Sequence, residues 1–383
     1  MAMVNTMNTP TLDLTADPID LTAALVDIAS PSFSEKEIAD ALEKALRLHC
    51  GDTDTVEILR YRNNVMARTH FDLGSRVIVA GHIDTVPLAD NVPSRRITDA
   101  QGNAAIFGCG SVDMKSGDAV FAHLFATLAG RPPAETGLCH DLTVVFYEAE
   151  EVAATHNGLG HIQREHPSWL EGDVAILGEP SGAVIEAGCQ GSIRLKVTAR
   201  GERAHSARAW LGKNAMHLLG PVIARIAEYQ PREVDIDGCH YHEGLNVVMA
   251  ECGVANNTIP DEAWMNVNFR FAPDRTEAQA LEHMLDVLQL PEGVDYEVDD
   301  SCSGALPGLK QPAAAALVRA TGKKPRAKFG WTDVARFAQL GIPAVNFGPG
   351  DPAYCHKKDE HCPEWMITEV ARTVREFLCS PVD

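Results

Sequence analysis

The chain has 383 residues, 45% hydrophobic and 22% charged, enough for two domains with a large core and ordinary for a soluble globular protein. A formal net charge of -20 makes a long-range field that repels nucleic acid and anionic membrane surfaces, so neither is an expected partner. No window approaches the ~18 uninterrupted apolar residues of a membrane-spanning helix, and the opening MAMVNTMNTPTLDLTADP has no Lys or Arg and no long apolar stretch, unlike a secretory signal or transit peptide.

Residues 18–48 have helical periodicity on both sides of a Ser-Pro turn, and Ser34 with Glu37 is the expected capping box of the second helix. Short apolar runs follow at 76–82, 142–150 and 173–180, separated by helical candidates at 116–130 and 157–166. Continuous apolar strands alternating with helices predict an α/β fold with a mixed, mostly parallel sheet and helices on both faces. The texture changes after Gly188. The run 192–200 alternates apolar and polar residues, then come a helix (213–229), two strands (245–254, 263–271), a helix (277–290) and a strand near 294–299. That βαββαβ order predicts an inserted α+β domain of ferredoxin-like type. Buried-strand texture returns from about 303, with a C-terminal helix from Thr368, so the expected domains are 1–187 and 303–383 for the α/β body and 188–302 for the insert. Ten scattered cysteines without a CxxC pair predict reduced packing thiols and a cytoplasmic location.

In open α/β sheets ligands gather beyond the carboxyl ends of strands. The residues expected there are His82 and Asp84 in GHIDTVP, Asp113 in GCGSVDMKSG, the pair Glu150 and Glu151, Glu179 in GEP, and His356. Each has a bland reading: His82 with Asp84 as a satisfied polar pair, a single carboxylate as a helix cap, the Glu pair as a solvated turn. Jointly they would repel unless cations neutralise them, and divalent metal is the economical resolution. Two imidazoles and several carboxylates without cysteine suit zinc or a neighbouring transition ion better than calcium or magnesium. Two metals ~3.5–4 Å apart could share one carboxylate. The histidines 156, 161, 240, 242 and 361 have no strand-end placement and read as surface or loop residues.

The segments GHIDTVP, GCGSVDMKSG, YEAEE and LGEPSG, with a late histidine, resemble the di-zinc metallopeptidases and amidohydrolases that include aminoacylase, acetylornithine deacetylase and succinyl-diaminopimelate desuccinylase. The resemblance runs from about residue 18 to the C-terminus. It implies two zinc ions, for which cobalt can substitute, with His82 and Glu179 on one, Glu151 and His356 on the other, and Asp113 bridging. It further implies Asp84 orienting His82, Glu150 as general base, and a cis peptide after Asp113. The insert becomes a lid and dimerisation domain of a homodimer, with His205 reaching the partner's site to steady the oxyanion. Asn256, Asn257, Arg270, Thr332 and the backbone of Gly348 and Gly350 become substrate contacts. Arg270 also has a plain reading as the solvated residue between Phe269 and Phe271.

The common substrate would be a small N-acyl amino acid with a carboxylate beside the amide. The tail GWTDVARFAQLGIPAVNFGPGDPAYCHKKDEHC resembles the desuccinylase and acetylornithine deacetylase branches, the actinobacterial desuccinylases most closely. The implied reaction is hydrolysis of N-succinyl-LL-2,6-diaminopimelate to succinate and LL-2,6-diaminopimelate, in lysine and diaminopimelate biosynthesis. Acetylornithine deacetylase, or another N-acyl-amino-acid hydrolase or dipeptidase, is the alternative. Neutral Gln190 stands where many desuccinylases carry arginine, and WTDVARF replaces the commoner TSDGRF. A non-catalytic binding protein on the same fold would be expected to lose a ligand or the base, and all seven positions are present.

Overall fold

Buried β-branched and small residues build the central sheet, as in Val77, Ile78, Val79 and Ala80 of the strand Arg76–His82. The structure, a computed structural model, describes residues 10–51 and 53–381; residues 1–9 and 382–383 of the expected outer domain segments lie outside it. The sheet has eight strands in the order Val56–Tyr61, Asn64–Thr69, Asp141–Tyr147, Arg76–His82, Val174–Pro180, Ala344–Gly348, Glu186–Ala187, Arg326–Ala327. Its middle four run parallel, so His82 and Glu179 come to the same edge. The first two strands are antiparallel to each other, and Asn64–Thr69 is antiparallel to Asp141–Tyr147.

The helix Lys115–Ala129 is buried along almost its whole circumference and packs on the strands Arg76–His82, Val174–Pro180 and Asp141–Tyr147, the first two of which carry His82 and Glu179. Its approach depends on glycine: a Cβ on Gly117 would lie 2.3 Å from the Gly178 carbonyl oxygen. A separate three-stranded sheet of Arg95–Thr98, Ala104–Phe107 and His361–Pro363 pairs antiparallel and brings residue 360 beside the loop after Phe107. His361 is therefore a buried strand residue, not the surface or loop residue expected, with its ring against Tyr354.

The chain divides into two compact units: one runs through Ala187, with Gly308–Arg326 and the chain from Arg336, and the other is Gly188–Pro307 with Ala327–Ala335. The second holds a four-stranded antiparallel sheet in the order Gly244–Cys252, Glu262–Phe271, Gly191–Arg200, Val294–Cys302. Ile193, Leu195, Val197 and Ala199 alternate inward against Leu219 and Val222 of the helix Ala215–Glu228 and Met284 of the helix Glu277–Leu288. The order of these elements is the expected βαββαβ, with a short hairpin and a pair of two-residue strands added between them.

Three local expectations are corrected. Ser34 does not cap the second helix: the N-cap is Glu35, without a side-chain cap bond, and its carboxylate instead accepts from the Phe33 amide in the preceding turn. The last helix begins at Glu364 rather than Thr368, because Pro363 supplies its start. The 142–150 strand ends at Tyr147, three residues before the Glu pair. All ten cysteines are free thiols, and no helix among the described residues is long and apolar enough to cross a membrane.

Gly117→Ala is expected to destabilise the protein by about 1–3 kcal/mol, because the added methyl overlaps backbone that cannot rotate away. Urea unfolding of the variant beside the parent measures it; an unchanged midpoint would contradict the close approach.

Candidate active site

Asp113 stands between two histidines. Its Oδ1 is 3.1 Å from His82 Nε2 and its Oδ2 is 3.4 Å from His356 Nε2. His82 Nε2 is also 3.9 Å from Glu179 Oε1, and His356 Nε2 is 2.9 Å from Glu151 Oε1. Two donor sets result, His82 with Asp113 and Glu179, and Asp113 with Glu151 and His356, each with ligand atoms within 4.8 Å of one another. Asp113 belongs to both. The donors are imidazole nitrogens and carboxylate oxygens converging at metal-binding spacing, which fits a pair of divalent transition ions sharing one carboxylate.

Protonation follows the same geometry. Burial alone would lower the His82 pKa, yet its bonds to Asp113 and Asp84 raise it well above the usual imidazole value. His356 is raised to about 9, first by its bond to Asp113 and then, against burial, by the Glu151 charge. Burial would raise Asp113, but the two histidines hold it well below the ordinary carboxylate range. Glu151 is raised by burial and by the Asp113 charge. Raised in this way, the two imidazoles favour their charged forms beside carboxylates that a bound cation would otherwise neutralise.

Asp84 organises the edge of the sheet. Its carbonyl oxygen lies 3.0 Å from His82 Nδ1, so Nδ1 is the donor there and Nε2 faces Asp113. Its carboxylate accepts from the amides of Glu150 (2.9 Å) and Glu151 (3.2 Å) and from Ser32 Oγ (2.7 Å). The Glu pair thus lies in a loop, after Ala149 in the left-handed region at φ 57°, and not at alternating strand positions. His356 is also left-handed, at φ 62°, and the Asp113–Met114 peptide is cis.

Three residues important to this arrangement were not singled out in the sequence. Glu360 is buried and its carboxylate accepts from the amides of Gly110 (3.0 Å), Val112 (2.8 Å) and Asp113 (3.1 Å), fixing the loop that carries the shared carboxylate. Burial pushes its pKa up to about 7 against those three donors. Lys115 is buried, lowered by burial to about 8, and donates to the Ile28 carbonyl at 2.7 Å. Asp118 is wholly buried, neither carboxyl oxygen has a hydrogen bond among the described residues, and burial raises its pKa well above the usual range. The signal for Glu360 was its place in the HKKDEH run; spacing alone could not show three amides converging on it.

A peptidase family M20/M25/M40 model matches residues 78–380, spanning every donor described above. The chain belongs to peptidase family M20/M25/M40. It is 57% identical over 372 residues to the succinyl-diaminopimelate desuccinylase of Corynebacterium glutamicum, covering 96% of this chain and 98% of that one. It is 29% identical over 394 residues to the succinyl-diaminopimelate desuccinylase of Paracoccus denitrificans, covering 94% and 97%. Among solved structures, a Staphylococcus aureus tripeptidase superposes with a TM-score of 0.73 over 94% of this chain and 97% of that one, at 19% identity, a likeness of fold.

The remaining candidates of this M20 chain lie in different surroundings. His205 is exposed on a two-residue strand paired with Thr258–Ile259, and its Nδ1 accepts from the Ala207 amide at 3.0 Å, which leaves the ring proton on Nε2. Asn256 and Asn257 are exposed in the preceding loop, with the Asn257 carbonyl accepting from Ser206. Arg270 is exposed between buried Phe269 and Phe271. Thr332 is buried in the second unit, its hydroxyl without a hydrogen bond among the described residues. Gly348 and Gly350 are both buried, and the Gly348 amide and carbonyl bond within the chain to Ser181 and Ala183. A Cβ on Gly348 would lie 2.0 Å from the Gly178 carbonyl, so this glycine serves strand packing.

Glu360→Ala leaves three amides without their acceptor and is expected to cost about 2–4 kcal/mol of stability. Metal affinity should fall roughly 10–100-fold, the usual effect of removing a partner that orients a ligand; chelator competition on the purified variant reads both the site and its loss. Metal must also displace the imidazole protons, so apparent affinity should rise with pH through neutrality to at least about 9. The sign for the metal-free fold is opposite: a raised histidine stabilises it below the ordinary histidine pKa, and this contribution is lost as pH climbs through about 9. Melting curves of metal-free and metal-loaded protein from pH 6 to 10 should therefore separate progressively.

Proposed function

We propose that this protein hydrolyses N-succinyl-LL-2,6-diaminopimelate to succinate and LL-2,6-diaminopimelate, a step of diaminopimelate and lysine biosynthesis in the cytoplasm. The observation that carries the substrate is 57% identity to the Corynebacterium glutamicum desuccinylase over 96% of the chain. The reaction class is supported independently by the two donor sets that share Asp113.

His82, Asp113 and Glu179 would hold one zinc ion and Asp113, Glu151 and His356 the other, with cobalt able to substitute. Bound there, the metal pair supplies Lewis acidity toward the amide carbonyl and an acidified water near neutral pH. Glu150 takes the proton of the attacking water and delivers it to the leaving nitrogen as the C–N bond breaks and the new C–O bond forms. Asp84 supports that role, since it fixes the Glu150 amide while orienting His82. His205, with its proton on Nε2, is suited to donate to the oxyanion of substrate held by a second chain in a homodimer. Arg270 and the side chains of Asn256, Asn257 and Thr332 are assigned to the substrate's carboxylates and polar groups.

The test is a substrate comparison with metal-loaded protein. Hydrolysis of N-succinyl-LL-diaminopimelate should exceed that of N-acetylornithine; a tenfold preference for N-acetylornithine would overturn the assignment. In the same assay Glu150→Gln should lower kcat about 10²–10⁴-fold with metal content unchanged, and undiminished turnover would remove Glu150 from the proton-transfer role.

A further inference from the structure

The second unit carries another cluster of imidazoles and carboxylates, on the hairpin of Glu233–Ile236 and Cys239–His242. Its two-residue turn, Asp237 at φ 50° and Gly238 at φ 82°, has the positive dihedrals of a tight hairpin connection and fixes the register. Glu233 pairs with His242 and Asp235 with His240. Side chains alternate across a strand, so these four residues share one face while Cys239 and Tyr241 are buried on the other.

Both rings turn toward one carboxylate. His240 Nε2 is 3.4 Å from Glu233 Oε2 and His242 Nδ1 is 3.2 Å from Glu233 Oε1, while His240 Nδ1 is 3.0 Å from Asp235 Oδ1. The ring centroids are 4.6 Å apart and nearly perpendicular, and one ligand atom from each of Glu233, His240 and His242 falls within 4.8 Å of the others. The hairpin is braced where it meets the rest of its unit: Gln190 Nε2 donates to the His242 carbonyl, and Phe329 packs edge-on to the His242 ring at 5.7 Å. Simple ion pairing explains the contacts poorly, because exposed histidine–carboxylate pairs contribute little and do not require two rings to converge on one acid.

We infer that the outer face of this hairpin is a third metal site, which binds a zinc-class divalent transition ion through His240, His242 and Glu233, with Asp235 fixing the His240 ring. Two imidazoles with one carboxylate leave a position open for water or an outside ligand, the donor set of an open zinc site. Imidazole donors select zinc, nickel or copper over magnesium and calcium. The site shares no residue with the donor sets built around Asp113. Closing the two strands with an ion also suits a two-stranded ribbon, which is marginal by itself.

Equilibrium dialysis of the full chain against micromolar free zinc, followed by metal analysis, tests the site by difference. The His240→Ala/His242→Ala double variant should bind one equivalent per chain fewer than the parent, with hydrolytic turnover unchanged. Glu233→Gln, which keeps both imidazoles, should weaken that equivalent at least about tenfold, the least that loss of even an outer partner costs. Equal zinc content in parent and double variant would overturn the inference. Because the readout is a difference between variants altered only on the hairpin, it stands or fails separately from the substrate assignment and from the metal count around Asp113.

Discussion

Asp113 has to be shared, and much of the first unit follows from that. A half-buried carboxylate with a histidine on each oxygen is stabilised by positive charge on both sides of it. One side comes from the end of a central strand and the other from a loop near the C-terminus, so chain segments remote in sequence must meet at a single residue. The surrounding structure holds that residue by its backbone. Glu360 gathers the amides of the Gly110–Asp113 loop, and Gly108 bonds to the Glu360 carbonyl in turn. The small antiparallel sheet delivers Glu360 to that loop, and His356, four residues earlier in the chain, reaches both Asp113 and Glu151.

The central sheet solves the other half of the problem. Neighbouring parallel strands put His82 and Glu179 on one edge, and the buried Lys115–Ala129 helix packs against both. Gly117 and Gly178 let the helix start approach the strand end closely, while Gly348 lets the next strand pass the same backbone. Three glycines therefore decide how near the ligand-bearing segments come to one another, in a region where every added atom would meet main chain.

What was legible in the sequence were features with one-dimensional signatures. Apolar runs marked strand ends, which grouped His82, Asp84, Asp113, Glu150, Glu151, Glu179 and His356, and the family resemblance separated the five ligand candidates from Asp84 and Glu150. The alternation in 192–200 marked a sheet with one solvated face, and Phe269 and Phe271 are buried on either side of exposed Arg270 as that pattern requires. What was not legible depends on convergence in space. Glu360 looks like one acid in a charged run, and its function comes from three amides of a distant loop. Ser34 and Glu37 had the spacing of a capping box, but the turn before the helix uses Glu35 instead, because that carboxylate is buried and takes the Phe33 amide. His240 and His242 are exposed, as read, but the strand pairing that brings Glu233 to both rings has no mark in the HYH triplet.

The two imidazole–carboxylate clusters also show what burial adds to a donor set. Around Asp113 the carboxylates are removed from water, so histidine protons are held strongly and any change of charge moves several pKa values together. Such coupling is what acid–base chemistry near neutral pH requires, since a base must be poised close to the working pH. On the hairpin the same residue types stand in solvent. His240 is raised, chiefly by its bond to Asp235, but water screens the remaining interactions. An ion held there would tie two strands together and exchange with solvent, while the buried cluster can hold water and substrate in an environment of its own making. Donor identity would select the metal in either place, and the surrounding dielectric would determine what a bound ion could do there.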